Sequence, residues 1–324
     1  MAVTTFLEAI RSALLESLET DPNTYLIGED IGVYGGAFKV TAGMYARFGP
    51  ERIIDAPISE SGIVGAAIGS ALVGARPIVE MQFIDFLSNA FSMVTNFAAK
   101  THYRWGEAVP IVIRGPWGGM VHAGPYHSQC PEAAYVHTPG LKVVAPATAA
   151  DARDLLLASI RDPNPVIFLE HKRLYRWIKE DLGEVNREAR LGEARIRREG
   201  RDVSIITYGA MLYRALEAAE QCRQQGVDVE VLDLRTLLPL DEDAVVATAR
   251  KTGKVIALHE DTRRGGLGAE LAALIAERAF EYLDGPLIRL AALDTPVPYA
   301  AALEDAFLPS VEKIRDEALK LAAY

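Results

Sequence analysis

The sequence has little of what marks secreted, membrane and nucleic-acid-binding proteins. Its 324 residues include only two cysteines, Cys130 and Cys222, which argues against a disulfide scaffold or a cysteine-rich zinc site. The formal net charge is -10, so the chain is not expected to wrap nucleic acid or bind an anionic membrane. No apolar run approaches the ~20 residues of a membrane span, and the N-terminus lacks a signal-peptide pattern. We therefore expect a cytoplasmic protein.

Several catalytic motifs are also missing. The sequence contains no G-x-S-x-G nucleophile elbow, no P-loop and no G-x-G-x-x-G fingerprint. Its six histidines do not follow the H-E-x-x-H spacing, so a catalytic zinc site is not indicated. A serine hydrolase, a P-loop nucleotidase and a zinc hydrolase are therefore disfavoured.

Short apolar runs alternate with helical patterns along the whole chain, which predicts an α/β fold with mainly parallel sheets. Thr5 and Glu8 form a capping-box pattern ahead of the first helix. A mixed-charge stretch at 178–201 separates two such series, so we predict two domains, 1–185 and 186–324. In the first half, strands are predicted at 25–27, 78–81, 111–114, 143–145 and 166–169, and helices at 6–18, 61–73, 87–103 and 149–160.

Glu60 stands beside a predicted helix made almost entirely of small and β-branched residues. In one interpretation its carboxylate complements the helix dipole, which contributes about 0.3–1 kcal/mol. In the other, Ile58, Ile63 and Val64 enclose the acid in an apolar pocket. Burial can raise a carboxyl pKa by up to ~3–5 units, so that the group shares a proton with a ligand nitrogen. The residues alone leave both interpretations open.

A second candidate lies in the Gly- and Pro-rich stretch 115–140, which carries three of the six histidines. Loops longer than about 12–15 residues without secondary structure are usually functional or disordered. His127 is the loop histidine best suited to proton transfer, since imidazole titrates near pH ~6.5. A purely structural histidine is the alternative, and it is the interpretation we favour for His122 and His137.

Gln82 and Phe86 follow a predicted strand. A phenylalanine there is ordinarily a core residue. In open α/β sheets, however, ligands bind at the carboxyl ends of strands. Both residues are therefore candidates for a binding site.

Taken in order, the motifs resemble the β subunit of the E1 component of 2-oxo acid dehydrogenase complexes. The resemblance covers nearly the whole chain, and the shared order of its motifs is more specific than any one of them. The stretches that carry it are GED (28–30), PISESGIVGAAIG (57–69), EMQFIDF (80–86), IRGPWGG (113–119), YHSQCPE (126–132), PGLKVVAP (139–146), DPNPVIFLEHKRLYR (162–176), DLRTLLPLD (233–241), HEDTRRGGLGAE (259–270) and DTPVPY (294–299).

This resemblance implies a thiamine diphosphate-binding, transketolase-like pyrimidine domain followed by a smaller α/β domain like the transketolase C-terminal domain. Glu60 would hydrogen-bond the aminopyrimidine ring and favour the tautomer that activates the cofactor. Ile58, Gln82 and Phe86 would line the same pocket, and His127 would assist acyl transfer to lipoamide. The family also implies a possible potassium ion with ligands from Ile111, Ser159, Asp162 and Asn164.

The resemblance also implies partners. Thiamine diphosphate enzymes usually hold the diphosphate through Mg²⁺ bound by a Gly-Asp-Gly motif, which this sequence lacks. We therefore expect an E1 α subunit to supply that half of the site in an α2β2 heterotetramer, and an E2 lipoyl acyltransferase to bind through the C-terminal domain. Gly62, Gly65 and Gly69 place small residues on one helix face, so we predict a subunit interface there that Gly65→Leu disrupts.

The reaction expected from this resemblance is decarboxylation of a 2-oxo acid followed by reductive acylation of the E2 lipoyl group. Branched-chain 2-oxo acids are favoured modestly over pyruvate, and acetoin cleavage ranks third. A split transketolase half and a non-catalytic scaffold subunit are the rivals. The HSQ loop argues against the first rival, and the presence of both Glu60 and His127 argues against the second.

Overall fold

The computed structural model describes residues 3–324, which form two compact units. The first contains residues 3–117 and 134–191, and the second contains residues 118–133 and 192–324. Segment 118–133 thus belongs by its contacts to the second unit, although the residues directly after it belong to the first. Among the described residues, no helix is both long enough and apolar enough to cross a membrane.

The first unit is built on a parallel sheet. Its strands lie in the order β6-β7-β5-β4-β2-β3, and each is parallel to its neighbours. The elements are β1 (Thr4–Thr5), α1 (Phe6–Thr20), β2 (Thr24–Gly28), α2 (Met44–Phe48), β3 (Ile53–Asp55), α3 (Glu60–Leu72), β4 (Arg76–Glu80), α4 (Ala99–Trp105), β5 (Val112–Trp117), α5 (Glu132–Val136, which crosses the unit boundary), β6 (Lys142–Val144), α6 (Ala149–Arg161), β7 (Val166–His171), α7 (Leu174–Trp177) and β8 (Lys179–Glu180).

Helix α1 begins as its sequence predicts. The Glu8 backbone N–H donates to Thr5 Oγ1 at 3.2 Å, and the Thr5 backbone N–H donates to Glu8 Oε2 at 2.9 Å. This reciprocal capping box satisfies two backbone donors at the helix start. The apolar face of α1, which includes Phe6, Ile10 and Leu14, is buried.

The second unit is a smaller sheet covered by helices. Strands β14, β13, β10 and β11 are parallel in that order, and β9 pairs antiparallel with β11. The elements are β9 (Arg195–Arg198), β10 (Val203–Thr207), α8 (Met211–Arg223), β11 (Val229–Asp233), β12 (Thr236–Leu238), α9 (Glu242–Thr252), β13 (Val255–Thr262), α10 (Gly268–Arg278), β14 (Ile288–Ala292), α11 (Ala301–Phe307) and α12 (Val311–Ala322). The prediction of an α/β fold with mainly parallel sheets is confirmed.

Three local features differ from what the sequence predicted. Strand β3 was not predicted, because its three residues are too few to give a periodic signal. The helix predicted at 87–103 is a 3₁₀ segment at 84–90, a π segment at 93–98 and then α4. Apolar spacing over a few turns does not separate these three helix types. The stretch 115–140 is also less irregular than predicted, since β5 extends to Trp117 and α5 lies within it.

A buried ionic network joins the ends of three strands in the first unit. Arg114 on β5 donates through Nε and Nη2 to the two carboxylate oxygens of Glu170 on β7, at 2.5 and 2.6 Å. It also donates to Glu80 on β4, and Tyr175 donates to Glu170 at 2.6 Å. Burial raises the pKa of Glu80, and the Arg114 charge opposes that shift. The guanidinium is therefore the counter-ion that keeps two buried carboxylates compatible with folding.

Candidate functional site

The candidate cofactor-binding residues of the first unit follow β3 and β4, the two strands that flank β2 in the parallel sheet. The chain passes from β2 to β3 on one side and then returns to β4 on the other, which makes a topological switch point. Ligands of open α/β sheets bind at such a point, outside the carboxyl ends of the strands. Residue Gly28 at the end of β2 pairs with both Asp55 and Glu80. The segments that leave these strands therefore start from one edge of the sheet.

Gly28 is required by the close approach of β2 and β4. A Cβ atom at this position would lie 2.6 Å from the Glu80 carbonyl oxygen. Because that atom belongs to the backbone, no side-chain movement relieves the clash. The backbones of β2 and β4 are therefore tightly packed where the two strands end.

Glu60 is the first residue of α3, and its side chain is half-buried. The preceding Ser59 makes no side-chain capping hydrogen bond, and Glu60 is the acidic residue in the first turn of this helix. Ile63 and Val64 are buried as expected, but Ile58 is 83% exposed. The expectation that Ile58 helps to enclose Glu60 was therefore wrong for the chain by itself. An apolar side chain left open beside an acid gives a surface that another molecule can cover.

A second carboxyl group near Glu60 was missed from the sequence. Glu29, directly after β2, is buried. Burial raises its pKa and the Glu60 charge adds to that shift, while the Ser59 backbone N–H favours the ionised form. The GED motif at 28–30 contains this residue, but no spacing in one sequence distinguishes it from a surface turn. The switch point therefore carries two interacting carboxyl groups.

Gln82 and Phe86 lie beyond the end of β4. The Gln82 side-chain amide donates to Asp30 Oδ2 at 3.1 Å, so it connects the segments that leave β4 and β2. Phe86 is half-buried and packs edge-on against Phe83, with ring centroids 5.9 Å apart. An aromatic face, a side-chain amide and a carboxylate at one sheet edge form a suitable surface for a flat heteroaromatic ring that bears hydrogen-bonding groups.

Helix α3 presents its small residues on two different faces. Ile63, Val64, Ala67, Ile68 and Ala71 are buried. Gly62, Ala66 and Gly69 are exposed, followed by Leu72 and Val73 at the end of the helix. A Cβ atom on Gly69 would meet nothing within 4 Å, whereas one on Gly65 would lie 3.8 Å from Met93 Sδ. The open face of the helix is therefore centred on Gly62, Ala66 and Gly69.

His127 lies in the second unit, in a loop closed by a hydrogen bond from the Gly118 N–H to the Gln129 carbonyl at 3.1 Å. Its own backbone N–H donates to the Gly124 carbonyl at 3.3 Å. The side chain is half-buried, while Ser128 is buried. The described geometry therefore places Glu60, Ile58, Gln82 and Phe86 around one sheet edge, and it places His127 on an ordered loop of the other unit.

Beneath this loop, within the second unit, lies a cavity of about 330 Å³ with an acidic wall. Ser128, Cys130, Glu260 and Asp261 line it. Burial raises the pKa of Asp261 to about 6. Burial and then the Asp261 charge raise the pKa of Glu132, which accepts a hydrogen bond from Tyr208 at 2.7 Å. Asp261 and Glu132 therefore hold their protons to a higher pH than exposed carboxyl groups do.

The raised pKa of Asp261 has a measurable consequence for stability. A carboxyl group with a folded-state pKa near 6, above its usual 3.8, binds its proton more tightly in the folded state. Its contribution to the free energy of unfolding therefore falls between about pH 4 and pH 6 and stays low above pH 6. We expect Asp261→Asn to gain about 1–3 kcal/mol relative to wild type between pH 4 and pH 7.

Chemical denaturation at several pH values measures this difference. Asp305→Asn is the matched control, because Asp305 is exposed and its substitution should change the free energy of unfolding by no more than about 0.5 kcal/mol. A pH-independent difference for Asp261→Asn contradicts a raised pKa of this carboxyl group in the folded state.

The four predicted potassium ligands are partly brought together. The Asp162 N–H donates to the Ser159 carbonyl at 3.2 Å, and the Asn164 N–H donates to Asp162 Oδ1 at 2.9 Å. The Ile111 carbonyl accepts from the Val166 N–H at 3.0 Å, and Lys142 neutralises the Asp162 carboxylate. Within residues 3–324, no group of three or more His, Cys, Asp or Glu side chains is arranged to hold a metal. The potassium site stays a prediction that depends on backbone carbonyl oxygens, and no step of the reaction is assigned to it.

Two family models match the chain. Residues 3–178 match "Transketolase, pyrimidine binding domain", and residues 192–314 match "Transketolase, C-terminal domain". The predicted division at residues 185 and 186 falls between the two matched regions and stays a prediction. In the fold comparison, a solved structure described as "Split gene transketolase, inactive beta4 tetramer" has a TM-score of 0.81 and 24% identity over 98% of each chain. This likeness supports the transketolase-like fold.

Full-length relatives narrow the family further. The 2-oxoisovalerate dehydrogenase subunit beta of Bacillus subtilis is 44% identical over 327 residues, covering 100% of both chains. The pyruvate dehydrogenase E1 component subunit beta of Staphylococcus aureus is 42% identical over 320 residues, covering 98% of both chains. The matched pyrimidine domain places the chain in a thiamine diphosphate-dependent family. This chain belongs to the transketolase-like family of E1 β subunits of 2-oxo acid dehydrogenases.

Proposed function

We propose that this chain, together with an E1 α subunit, decarboxylates a branched-chain 2-oxo acid and transfers the resulting acyl group to the lipoyl group of an E2 acyltransferase. The observation that carries this proposal is the position of Glu60 at the topological switch point, where it interacts with Glu29 and starts from the same sheet edge as Gln82 and Phe86. This set supplies a carboxylate, an amide and an aromatic face for a pyrimidine ring. Thiamine diphosphate, when bound, supplies the electron sink that decarboxylation of a 2-oxo acid requires.

Each residue of this edge has a distinct role in the proposal. Glu60, the first residue of α3, accepts and returns a proton at a ring nitrogen of the bound pyrimidine. Glu29 is buried next to this group, and burial together with the Glu60 charge raises the pKa of Glu29. Phe86 and Ile58 provide the apolar walls that exclude water, and Gln82 orients the ring. His127 handles a proton during transfer of the acyl group to the lipoyl sulfur.

An α partner is supported by two features of the chain. No Gly-Asp-Gly motif is present to hold Mg²⁺ and the diphosphate. Ile58 at the switch point is exposed, and so is the small-residue face of α3 formed by Gly62, Ala66 and Gly69. Faces of small residues allow close approach of another helix. We place the subunit contact of an α2β2 heterotetramer on this face of α3.

A pair of glycine variants tests this contact. Gly69→Leu adds a side chain where nothing lies within 4 Å, so the isolated chain should fold with its stability lowered by no more than about 1 kcal/mol. A close helix contact does not accommodate the added leucine, and we expect loss of the heterotetramer in sedimentation or size-exclusion measurements. Gly65→Leu should disrupt assembly as well, but it must also displace Met93. Gly106→Ala is the control. It strains the left-handed C-cap of α4, which is not part of α3, and should leave assembly unchanged. A Gly69→Leu chain that still assembles normally contradicts the proposed contact.

The substrate is tested on the reconstituted pair. The 44% and 42% identities to 2-oxoisovalerate and pyruvate dehydrogenase β subunits place the chain close to both. The proposal predicts a higher kcat/KM for 2-oxoisovalerate and its branched homologues than for pyruvate when CO₂ release is measured. A preference for pyruvate moves the assignment to the pyruvate enzyme and leaves the E1 β role intact.

The E2 partner is assigned to the second unit in the same proposal. Reductive acylation requires the lipoyl carrier to reach the loop of His127, which belongs to this unit. Binding of an E2 subunit to the assembled protein, measured with and without substitutions on exposed residues of α12, tests the assignment. E2 binding that none of these substitutions weakens contradicts it.

A further inference from the structure

The loop that carries His127 is held at several points by the second unit. The hydrogen bond from the Gly118 N–H to the Gln129 carbonyl joins the two ends of the loop. Two of its residues other than glycine, Met120 and His122, have left-handed backbone conformations, with φ of 62° and 58°. Such conformations cost free energy in residues with side chains and persist where surrounding contacts impose them. The loop conformation is therefore imposed from outside.

Glu304 on α11 makes the contacts that impose this conformation. Its carboxylate accepts the Met120 backbone N–H at Oε1 and the His122 backbone N–H at Oε2, both at 3.0 Å. The same Oε2 lies 2.6 Å from His122 Nδ1. The Glu304 side chain is fully buried, although His122 is exposed. Both left-handed residues are thus hydrogen-bonded by one carboxylate, and hydrogen bonds to a charged acceptor are among the stronger ones in proteins.

The space around the backbone of this loop is also restricted. A Cβ atom on Gly119 would lie 2.8 Å from Glu304 Oε1 and 3.3 Å from Glu260 Oε1. The Gly119 N–H donates to Glu260, so this residue is fixed between two carboxylates. Further along, a Cβ atom on Gly124 would lie 2.4 Å from the Tyr299 ring. The loop therefore contacts the unit along the stretch that leads to His127.

We propose that Glu304 is a positioning residue for acyl transfer, since it fixes the backbone of residues 120 and 122 and through it the place of His127. This proposal rests on the role assigned to His127 above. Glu304 does not touch the reacting groups, and its effect is confined to the half-reaction that uses the loop. Decarboxylation, which depends on the switch point of the first unit, proceeds without it.

The test uses the chain assembled with an E1 α subunit and compares Glu304→Gln, Glu304→Ala and Gly119→Ala. Misplacement of a catalytic group by about 1 Å costs up to about 100-fold, so we expect kcat for reductive acylation of a lipoyl domain to fall about 10- to 100-fold. Glu304→Gln keeps one acceptor oxygen and should lose less than Glu304→Ala. CO₂ release with an artificial electron acceptor should stay within about threefold, and the KM for the 2-oxo acid should not change. Hydrogen exchange at the amides of Met120 and His122 should become faster.

Asp305→Asn is the matched control on the same helix, and it should behave as wild type. Equal loss of both half-reactions, or unchanged amide exchange at residues 120 and 122 in Glu304→Ala, overturns the proposal. Gly119→Ala reaches the same loop without changing either carboxylate, so it keeps the test open where Glu304→Ala does not fold. His127→Ala is measured alongside. Normal acyl transfer by that variant contradicts the role of His127 itself, whereas the amide exchange reports on Glu304 independently.

Discussion

Glu60→Gln should lower turnover of the complex with E1 α by about 100- to 10,000-fold, the usual contribution of a positioned acid or base. Glutamine keeps the size of the side chain and can still accept a hydrogen bond, but it does not take up and return a proton. Exchange of the C2 proton of bound thiamine diphosphate with deuterium should be lost, while affinity for the cofactor changes little. Nuclear magnetic resonance of the quenched cofactor measures this exchange directly.

The helix-dipole interpretation predicts a different result for the same variant. If Glu60 only complements the start of α3, removing its charge costs about 0.3–1 kcal/mol of stability and leaves the exchange rate unchanged. Glu51→Gln is the control, because Glu51 is exposed and precedes β3 in the same unit. Unchanged exchange in Glu60→Gln removes this carboxylate from the mechanism.

Arg114→Met should destabilise the chain by about 3–5 kcal/mol, because it leaves buried carboxylates without their counter-ion. Arg114 is 1% exposed and hydrogen-bonds both Glu80 and Glu170. Burial already raises the pKa of Glu80, and the charge of Arg114 is the largest effect that lowers it. Without the guanidinium, Glu80 is protonated more readily in the folded state, so the loss of stability should be smaller at pH 5 than at pH 8.

Denaturant unfolding at the two pH values measures both parts of this prediction. Arg264→Met is the control, since the Arg264 side chain is 89% exposed and its replacement should cost no more than about 0.5 kcal/mol. A loss below 1 kcal/mol for Arg114→Met at pH 8 contradicts the network as a compensated set of buried charges.

Much of the fold could be predicted because its main elements are long and periodic. Helix α1 carries both a capping box and a regular apolar face, so its start at Phe6 followed directly from local physics. Strand β3 and the mixed 3₁₀ and π segments at 84–98 could not be predicted from local sequence patterns. The assignment of residues 118–133 to the second unit depends on contacts with residues more than 100 positions away, such as Glu260 and Glu304. Sequence periodicity carries no information on such contacts.

The candidate site divides in the same way. Gln82 and Phe86 were selected because residues that follow parallel strands meet at one edge. Glu60 was selected instead from the small-residue helix that it begins, since β3 was not predicted. The strand pairing shows that the segments carrying all three residues leave the same edge. Glu29 and Glu304 were missed, since a buried carboxylate and an exposed one look alike in a single sequence. Ile58 was expected to enclose Glu60 and is instead exposed. In the proposed heterotetramer, the E1 α subunit covers this side chain.

The central claim is that this chain is the β half of a thiamine diphosphate-dependent E1 enzyme and is inactive by itself. The most direct measurement is the release of CO₂ from a 2-oxo acid by the purified chain with thiamine diphosphate and Mg²⁺, before and after addition of an E1 α subunit that carries the Gly-Asp-Gly motif. The account predicts no turnover by the chain alone and activity that rises with E1 α until the two chains are equimolar. Full turnover by the chain alone would contradict it.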